Sequence, residues 1–499
     1  MQNHLSRRRF LATTAATGLV GAASSLPLLD RAALAATAAT LRAGGRVIEV
    51  NGRAANVFGL TQPDGRQGLV GEAGRRFRVR LENRIDEASL IHWHGLTPPS
   101  EQDGVPGLSQ APLPPAQAYD YDFPLPLAGT NWMHSHHGLQ EQRLMAAPLI
   151  VRDPAEAAQD LQEVVVMLHD FTFRDPAEIL AGLRRGGHGT GAKAGGMDHG
   201  TMGHGAASGT AHGAMGQRGT NLPAKDDDVM PVHLHDVEYD AFLANDRTLD
   251  DPAVFRVERG GRVRLRLINA AAATNFWIDL DRLEGRLIAV DGVPVQPLAG
   301  QRFECAIAQR LDIVLELPRS EGAWPVFAIR EGERARTGFV LATRDGTIER
   351  LGSEAELAAA PVALGLERRL RTGRPLVPRT PDRRHELTIT EAPGYVWQLN
   401  GGAFGAHTPL AVREGERVEV TFVDRTTMAH PMHLHGHHFQ VVAIGGERFA
   451  GAVRDTVLVP ARGSVTIAFD ADNSGFWALH CHHLYHMAGG MMTNLAYES

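Results

Sequence analysis

"GRRFRVRLENR", residues 74–84, alternates apolar and polar side chains from Phe77 to Leu81. An alternation of period two puts Phe77, Val79 and Leu81 on one face of an extended chain. A helix would scatter the same residues around its axis, so the stretch reads as a strand with one buried side. The signature returns as "GGRVRLRLINA" (260–270) and "GERVEVTFVDR" (415–425). Each copy has a glycine, an arginine two residues later, alternation, and then Asn or Asp. The copies start at 74, 260 and 415, too far apart for solenoid repeats. They suit three copies of one all-β domain, with short β runs broken by Gly and Pro turns into Greek-key barrels or sandwiches.

Nine residues beyond the closing Asn or Asp, two copies carry the same motif. Asn83 leads to "HWHG" (His92 to Gly95) and Asp424 leads to "HLHG" (His433 to Gly436), whereas Asn269 leads only to Ile278. A second correspondence follows. Gly129 precedes "HSHH" (His134 to His137) by five residues, and Gly475 precedes "HCHH" (His480 to His483) by five; Gly322 leads only to Phe327. The outer domains therefore bear histidines and the middle one reads as structural.

Residues i and i+2 of a strand share a face, so each His-x-His pair can chelate one metal or bridge two. Imidazole-rich sites suit Cu, Zn, Fe or Ni. The last motif extends to "HCHHLYHMAGGM" (His480 to Met491). One Cys, two His and a weak Met ligand describe a blue-copper electron-transfer site. Cys481, His486 and Met491 supply three of these locally, and His430 of "HPMHLHG" can supply the fourth. Eight histidines then remain in four pairs, one of which flanks Cys481 directly.

The four motifs, in this order and spacing, resemble those of three-domain multicopper oxidases of the laccase and bacterial cuprous oxidase type. The resemblance implies three cupredoxin-like domains and four copper ions. It implies a type 1 copper on His430, Cys481 and His486, with Met491 axial. It implies a type 2 copper on His92 and His433. A type 3 pair would sit on His94, His134, His136, His435, His480 and His482. It further implies single electrons passing from a donor through Cys481 to the histidine cluster, where O2 becomes water. In domain one, Ser135 stands where domain three has Cys481.

Dioxygen reduction consumes protons, so an acid near the cluster is expected. Asp103, in "PPSEQDGVPG", lies eleven residues beyond His92 at a position commonly acidic in the family, and is the candidate proton relay; the competing reading is a turn-forming Asp-Gly. Where many relatives have an acid after the last type 1 histidine, this chain has Met487. His137, His437, His438 and His483 break the i, i+2 spacing and are read as neighbours of the ligands or as surface residues. His169 is read as satisfying a core hydrogen bond, and Cys305 as a buried strand thiol.

"SRRRFL" (Ser6 to Leu11), an Ala/Thr/Gly stretch and "ALA" (Ala33 to Ala35) have the order of an export signal, with Arg7 and Arg8 resembling the twin-arginine type. Residues 1–38 are therefore set apart from the fold, with the twin-arginine machinery as partner and the periplasm or cell exterior as destination. Domain one is expected at 39–153, domain two at 160–346, a linker at 347–382 and domain three at 383–499. A Gly/Ala/His/Met-rich insertion, 186–217, interrupts domain two. Its Met197, His199, Met202, His204, His212 and Met215 are candidate accessory copper ligands, because thioethers select Cu(I). A functionless insertion is the competing reading.

The net charge of −7 argues against nucleic acid as partner, and no interior run is apolar enough to span a membrane. With two cysteines and no CxxCH, c-type haem and Cys-rich zinc or iron–sulfur sites are excluded. The expected activity is oxidation of a small donor coupled to O2 reduction, with Cu(I) favoured for copper detoxification. Phenols and aromatic amines are the alternative donors. A non-catalytic copper-binding protein is disfavoured by the full ligand set, and a two-domain nitrite reductase by the third repeat.

Overall fold

The three repeat stretches form the strands Arg76–Asn83, Arg262–Asn269 and Arg417–Asp424. They belong to a computed structural model that describes residues 38–186 and 232–498. The export signal, apart from Ala38, lies outside the described residues, as do Met197, His199, Met202, His204, His212 and Met215. Among the described residues, no helix is long and apolar enough to cross a membrane.

Each repeat strand sits in the same local topology. It runs parallel to an earlier strand of its sheet: Ala39–Val50, Gln162–Phe171 or Arg383–Ala392. On its other side it pairs antiparallel with Ala118–Pro124, Arg310–Glu316 or Ser464–Asp470. The closing Asn or Asp explains why each strand ends where it does. The side-chain oxygens of Asn83, Asn269 and Asp424 accept the N–H of the residue two positions on, at 3.1, 3.2 and 2.7 Å. This local bond offers the backbone a turn in place of the next ladder bond.

Among the described residues six sheets result, two to each of three cupredoxin-like domains. Three large apolar clusters fill the spaces between paired sheets. One contains Phe77, Trp93 and Phe123, a second Leu265, Phe276 and Ile313, and a third Trp397, Phe422 and Trp477. Trp93, Trp132, Trp397 and Trp477 are fully buried. At ~200 Å² of apolar surface each and ~25 cal/mol per Å², each contributes about 5 kcal/mol of burial. Trp132 lies against His94 and His134, and Trp397 against His430 and His486, so these two also wall the histidine clusters.

The second sheets of the outer domains bring the histidine motifs into register. In domain one, Ile91 faces Ser135 and His92 faces His134. In domain three, Met432 faces Cys481 and His433 faces His480. The counting rule drawn from the sequence slips by one residue in domain two, where Ile278 faces Ala328 rather than Phe327. The stretch that follows the insertion in domain two is "VHLHDVEYDAFL" (232–243). Its first part, 232–240, is irregular, and the strand is Ala241–Ala244. The His233 N–H is donated to Thr427 O of domain three at 2.8 Å, so this backbone is satisfied across a domain seam rather than in a ladder.

The segment between domains two and three contains a short helix, Gly365–Arg369, and is anchored along its length. Trp277 Nε1 donates to Ala360 O at 2.8 Å, and Leu364 and Leu370 are buried. Cys305 ends the strand Arg302–Cys305 as a buried free thiol. His169 Nδ1 lies 3.0 Å from Ala270 O, a core hydrogen bond.

Candidate metal centre

His430 and Cys481 come from neighbouring strands of one sheet, and His486 from the five-residue helix Leu484–Ala488 that follows. The Cys481 sulfur lies 3.8 Å from His430 Nδ1 and 3.7 Å from His486 Nδ1, and the two nitrogens are 3.1 Å apart. All three side chains are fully buried. Their outer nitrogens are held: His430 Nε2 by Thr426 Oγ1 and His486 Nε2 by Asp236 Oδ2, each at 2.9 Å. Trp397 lies against the His486 ring at 4.0 Å between centroids, and His483 stacks on the same ring at 3.7 Å. Met491 is fully buried, and its carbonyl accepts the Cys481 N–H at 3.1 Å.

The eight paired histidines converge between domains one and three. Seven of them turn Nε2 inward: across the seam His136 meets His480 at 3.3 Å, His134 meets His482 at 3.3 Å and His92 meets His433 at 3.5 Å, and within domain three His435 meets His480 at 2.9 Å. Outward, Nδ1 is usually tied to oxygen. His92 meets Asp103 O at 2.9 Å, His134 meets Glu141 Oε2 at 2.9 Å, and His433 meets Asp455 O at 2.8 Å. His435 meets Asp103 Oδ2 at 2.8 Å, and His480 meets Cys481 O at 2.9 Å. His94 is reversed: its Nε2 lies 3.0 Å from Asp455 Oδ1, and its Nδ1 has no hydrogen-bond partner.

This donor set fits copper. Both clusters are soft or borderline, nitrogen-rich and buried, with most outer nitrogens fixed by oxygen partners, which is how metal-binding imidazoles are oriented. Inward-facing nitrogens a hydrogen-bond length apart cannot all be satisfied by each other, since each neutral ring has only one N–H. Burial keeps the rings neutral and ready to donate a lone pair. It pushes His94, His134, His136, His430, His433, His435, His482 and His486 well below the usual imidazole range, and His480 to about 3. Burial pushes the Cys481 thiol up, so forming the thiolate requires a cation in its place.

Ser135, at the Cys481 position of domain one, donates to Gln140 Oε1 at 2.7 Å. Asp103 is buried and touches histidines from both halves of the cluster, His92 through its carbonyl and His435 through Oδ2. His437 is tied to Tyr497 Oη at 2.6 Å. Among the described residues, sequence reading missed Glu141, Asp236, Asp455 and Arg310. Glu141 is buried beside His134 and 3.8 Å from His482 Nδ1, and burial holds its carboxyl well above the carboxylate range. The available signal for Asp455 was the charged pair Arg454–Asp455 inside the otherwise apolar run "AVRDTVLV"; Asp455 occupies the bend between the strands Val453–Arg454 and Thr456–Val459.

Three family models described as multicopper oxidase match the chain, at residues 68–156, 162–344 and 377–499. The chain is 30% identical to the multicopper oxidase MmcO of Mycobacterium tuberculosis, over 85% of this chain and 80% of that protein. It is 27% identical to copper resistance protein A of Escherichia coli, over 99% of each. The fold is similar to a crystal structure of a multi-copper oxidase from Pseudomonas thermotolerans, with TM-score 0.65, 24% identity, and coverage of 92% of this chain and 98% of that one. It is also similar to Fet3p, a multicopper oxidase that functions in iron import, with TM-score 0.73, 16% identity, and coverage of 92% and 90%.

Proposed function

The chain belongs to the multicopper oxidase family of copper-dependent oxidoreductases, and from that premise we propose that it oxidises cuprous ion while reducing O2 to water. Bound copper supplies one-electron redox chemistry, which lets a donor that gives single electrons be coupled to a four-electron acceptor. In this reading His430, Cys481, His486 and Met491 hold the electron-accepting type 1 ion. His92 and His433 hold the type 2 ion. His94, His134, His136, His435, His480 and His482 hold the type 3 pair, giving four copper ions in all.

Cys481 is the junction of the two sites, because His480 and His482 are its covalent neighbours. Asp103, with Oδ2 on His435 Nδ1 and Oδ1 3.2 Å from His92 Nδ1, is the group that relays protons toward the cluster in this reading. Glu141 and Asp455 orient His134 and His94 through their outer nitrogens. The enclosing aromatic rings and the buried seam exclude bulk water.

The observation that carries the donor assignment is the covered edge of His486. The ring is fully buried, and its Nε2 is bonded to Asp236, whose same oxygen accepts the Tyr395 hydroxyl at 2.5 Å. An organic donor has no ring edge to touch there, whereas an inorganic ion needs only ligand atoms near the surface. Similarity to copper resistance protein A supports the same direction. The His/Met-rich stretch 186–217 belongs to this reading as a copper-recruiting element, and the twin-arginine-like signal supports a periplasmic location for the reaction. Steady-state oxygen uptake by the copper-loaded chain tests it. Cu(I) is expected to exceed every member of a phenol series in kcat/KM. A phenol matching or exceeding Cu(I) makes the chain a laccase-like oxidase instead. Deleting 186–216 is expected to lower cuprous oxidation, and an unchanged rate removes that stretch from the account.

A further inference from the structure

Domain two contributes none of the twelve proposed copper ligands, yet one of its side chains reaches the histidine cluster. Arg310 opens the strand Arg310–Glu316 and is fully buried where the three domains meet. Its Nε donates to Thr130 O of domain one at 3.1 Å. Its two terminal nitrogens form a fork on Asp455 of domain three, Nη1 to Oδ1 at 2.7 Å and Nη2 to Oδ2 at 2.5 Å. The Arg310 N–H is itself donated to Asp291 Oδ1 at 2.9 Å, so the backbone is pinned as well.

Asp455 carries this restraint to two proposed ligands. Its Oδ1 accepts from His94 Nε2 at 3.0 Å and from the Thr456 hydroxyl at 2.9 Å, while its carbonyl meets His433 Nδ1. His94 is the reversed ring described above, with Nε2 outward and Nδ1 inward and unpartnered. We propose that Arg310 is a positioning residue for the copper cluster: by gripping Asp455 through its fork, it fixes the ring and tautomer of His94 so that Nδ1 faces the metal. The proposal rests on the copper reading given above.

Two physical arguments favour orientation over simple stabilisation. Buried charges are expensive to desolvate, and a buried ion pair can often be replaced by apolar groups with no loss of stability. A network that also includes Asp291 and Arg454, bonded at 2.9 Å, is a poor way to glue domains. It is a good way to fix a direction, because a guanidinium presents two parallel N–H bonds in one plane and is always charged. Space is reserved for it as well. Gly95, the residue after His94, has φ of 91°, and a Cβ there would lie 2.6 Å from Arg310 Nη2.

The test compares the full-length native chain with Arg310→Met, Arg310→Lys and the double variant Arg310→Met/Asp455→Asn. In metal-free protein labelled with ¹⁵N-histidine, nitrogen shifts report the His94 tautomer, assigned by its loss in His94→Gln. The native ring is expected to be protonated on Nε2, and both single variants to show a mixture. In copper-loaded protein, the EPR-silent copper is expected to be about 10–100-fold more easily removed by a chelator in the variants, the usual effect of losing a group that orients a ligand. The blue type 1 absorbance is expected to stay unchanged. The double variant, with no unpaired buried charge, is expected to recover thermal stability but neither the tautomer nor the copper retention. A native tautomer in Arg310→Met, or native copper retention in the double variant, overturns the proposal. If Arg310→Met does not fold, the double variant decides. If the native chain takes up no EPR-silent copper, the copper reading fails, and the metal-free tautomer still decides the role of Arg310.

Discussion

Replacing Gly95 by alanine perturbs the cluster through a residue that binds nothing. The added Cβ would stand 2.3 Å from Asn131 Oδ1 and 2.6 Å from Arg310 Nη2, about 1 Å closer than ordinary contact. Arg310 cannot retreat freely, because Nε, Nη1 and Nη2 are all engaged at 2.5–3.2 Å. Moving it by about 1 Å takes at least one charged hydrogen bond out of range, at ~1.5–3 kcal/mol each. Holding alanine at φ of 91° adds roughly 1–2 kcal/mol. The expected loss is about 3–5 kcal/mol, or roughly 6–20 °C in the unfolding midpoint if one domain is the cooperative unit. Gly107→Ala is the control: its φ is 77°, but an added Cβ meets nothing within 4 Å, so only the backbone part, about 1–2 kcal/mol, should appear. Differential scanning calorimetry and copper analysis read both variants. A Gly95→Ala chain no less stable than Gly107→Ala, with full copper content, would refute the reasoning.

Other outcomes follow from the same geometry. Cys481→Ser should abolish the blue absorbance and donor-driven oxygen uptake while leaving the cluster copper in place, because His480 is tied to the residue 481 carbonyl rather than to its side chain; loss of all copper on analysis would contradict this. Asp103→Asn should lower the oxygen-reduction rate by about 10²-fold or more, the usual scale for a lost proton-transfer group, and an unchanged rate in stopped-flow would remove the relay. Metal-free protein should lose stability as pH falls. The buried histidines have folded pKa values below their unfolded ones, so the unfolded chain binds more protons between the two. Their contribution is complete above pH ~6.5 and declines below it. The carboxyls that burial raises, Glu141, Glu331, Glu367, Asp424 and Asp472, act in the opposite sense but are fewer. A thermal midpoint flat from pH 7 to pH 4.5 would count against the burial of neutral rings.

The repeats made the fold legible, because an alternating strand carries its buried face in its own sequence, as Phe77, Val79 and Leu81 do. The histidines were legible for a similar reason: His92 with His134, and His433 with His480, occupy matched register positions that a count from Asn83 or Asp424 finds. What was hidden depends on packing between domains. Arg310 reads as one more charged residue at the edge of an apolar strand, and only the meeting of three domains turns it toward Asp455. Asp236 lies in an irregular segment with no period to read, and Glu141 in a 3-10 turn, Glu141–Arg143. The one-residue slip at Ile278 belongs to the same class. Pairing register answers to both strands and their turns, so counting along one chain segment locates it only approximately.

The central claim, that electrons taken singly from a donor at Cys481's site are pooled to reduce O2 completely, is tested most directly by stoichiometry. Copper-loaded protein is supplied with a measured amount of Cu(I) under limiting O2, and the oxidised copper, oxygen consumed and peroxide formed are counted together. The account predicts four Cu(I) oxidised per O2 and no hydrogen peroxide. Two Cu(I) per O2 with an equivalent of peroxide, or oxygen consumption no faster than in protein-free solution, would contradict it.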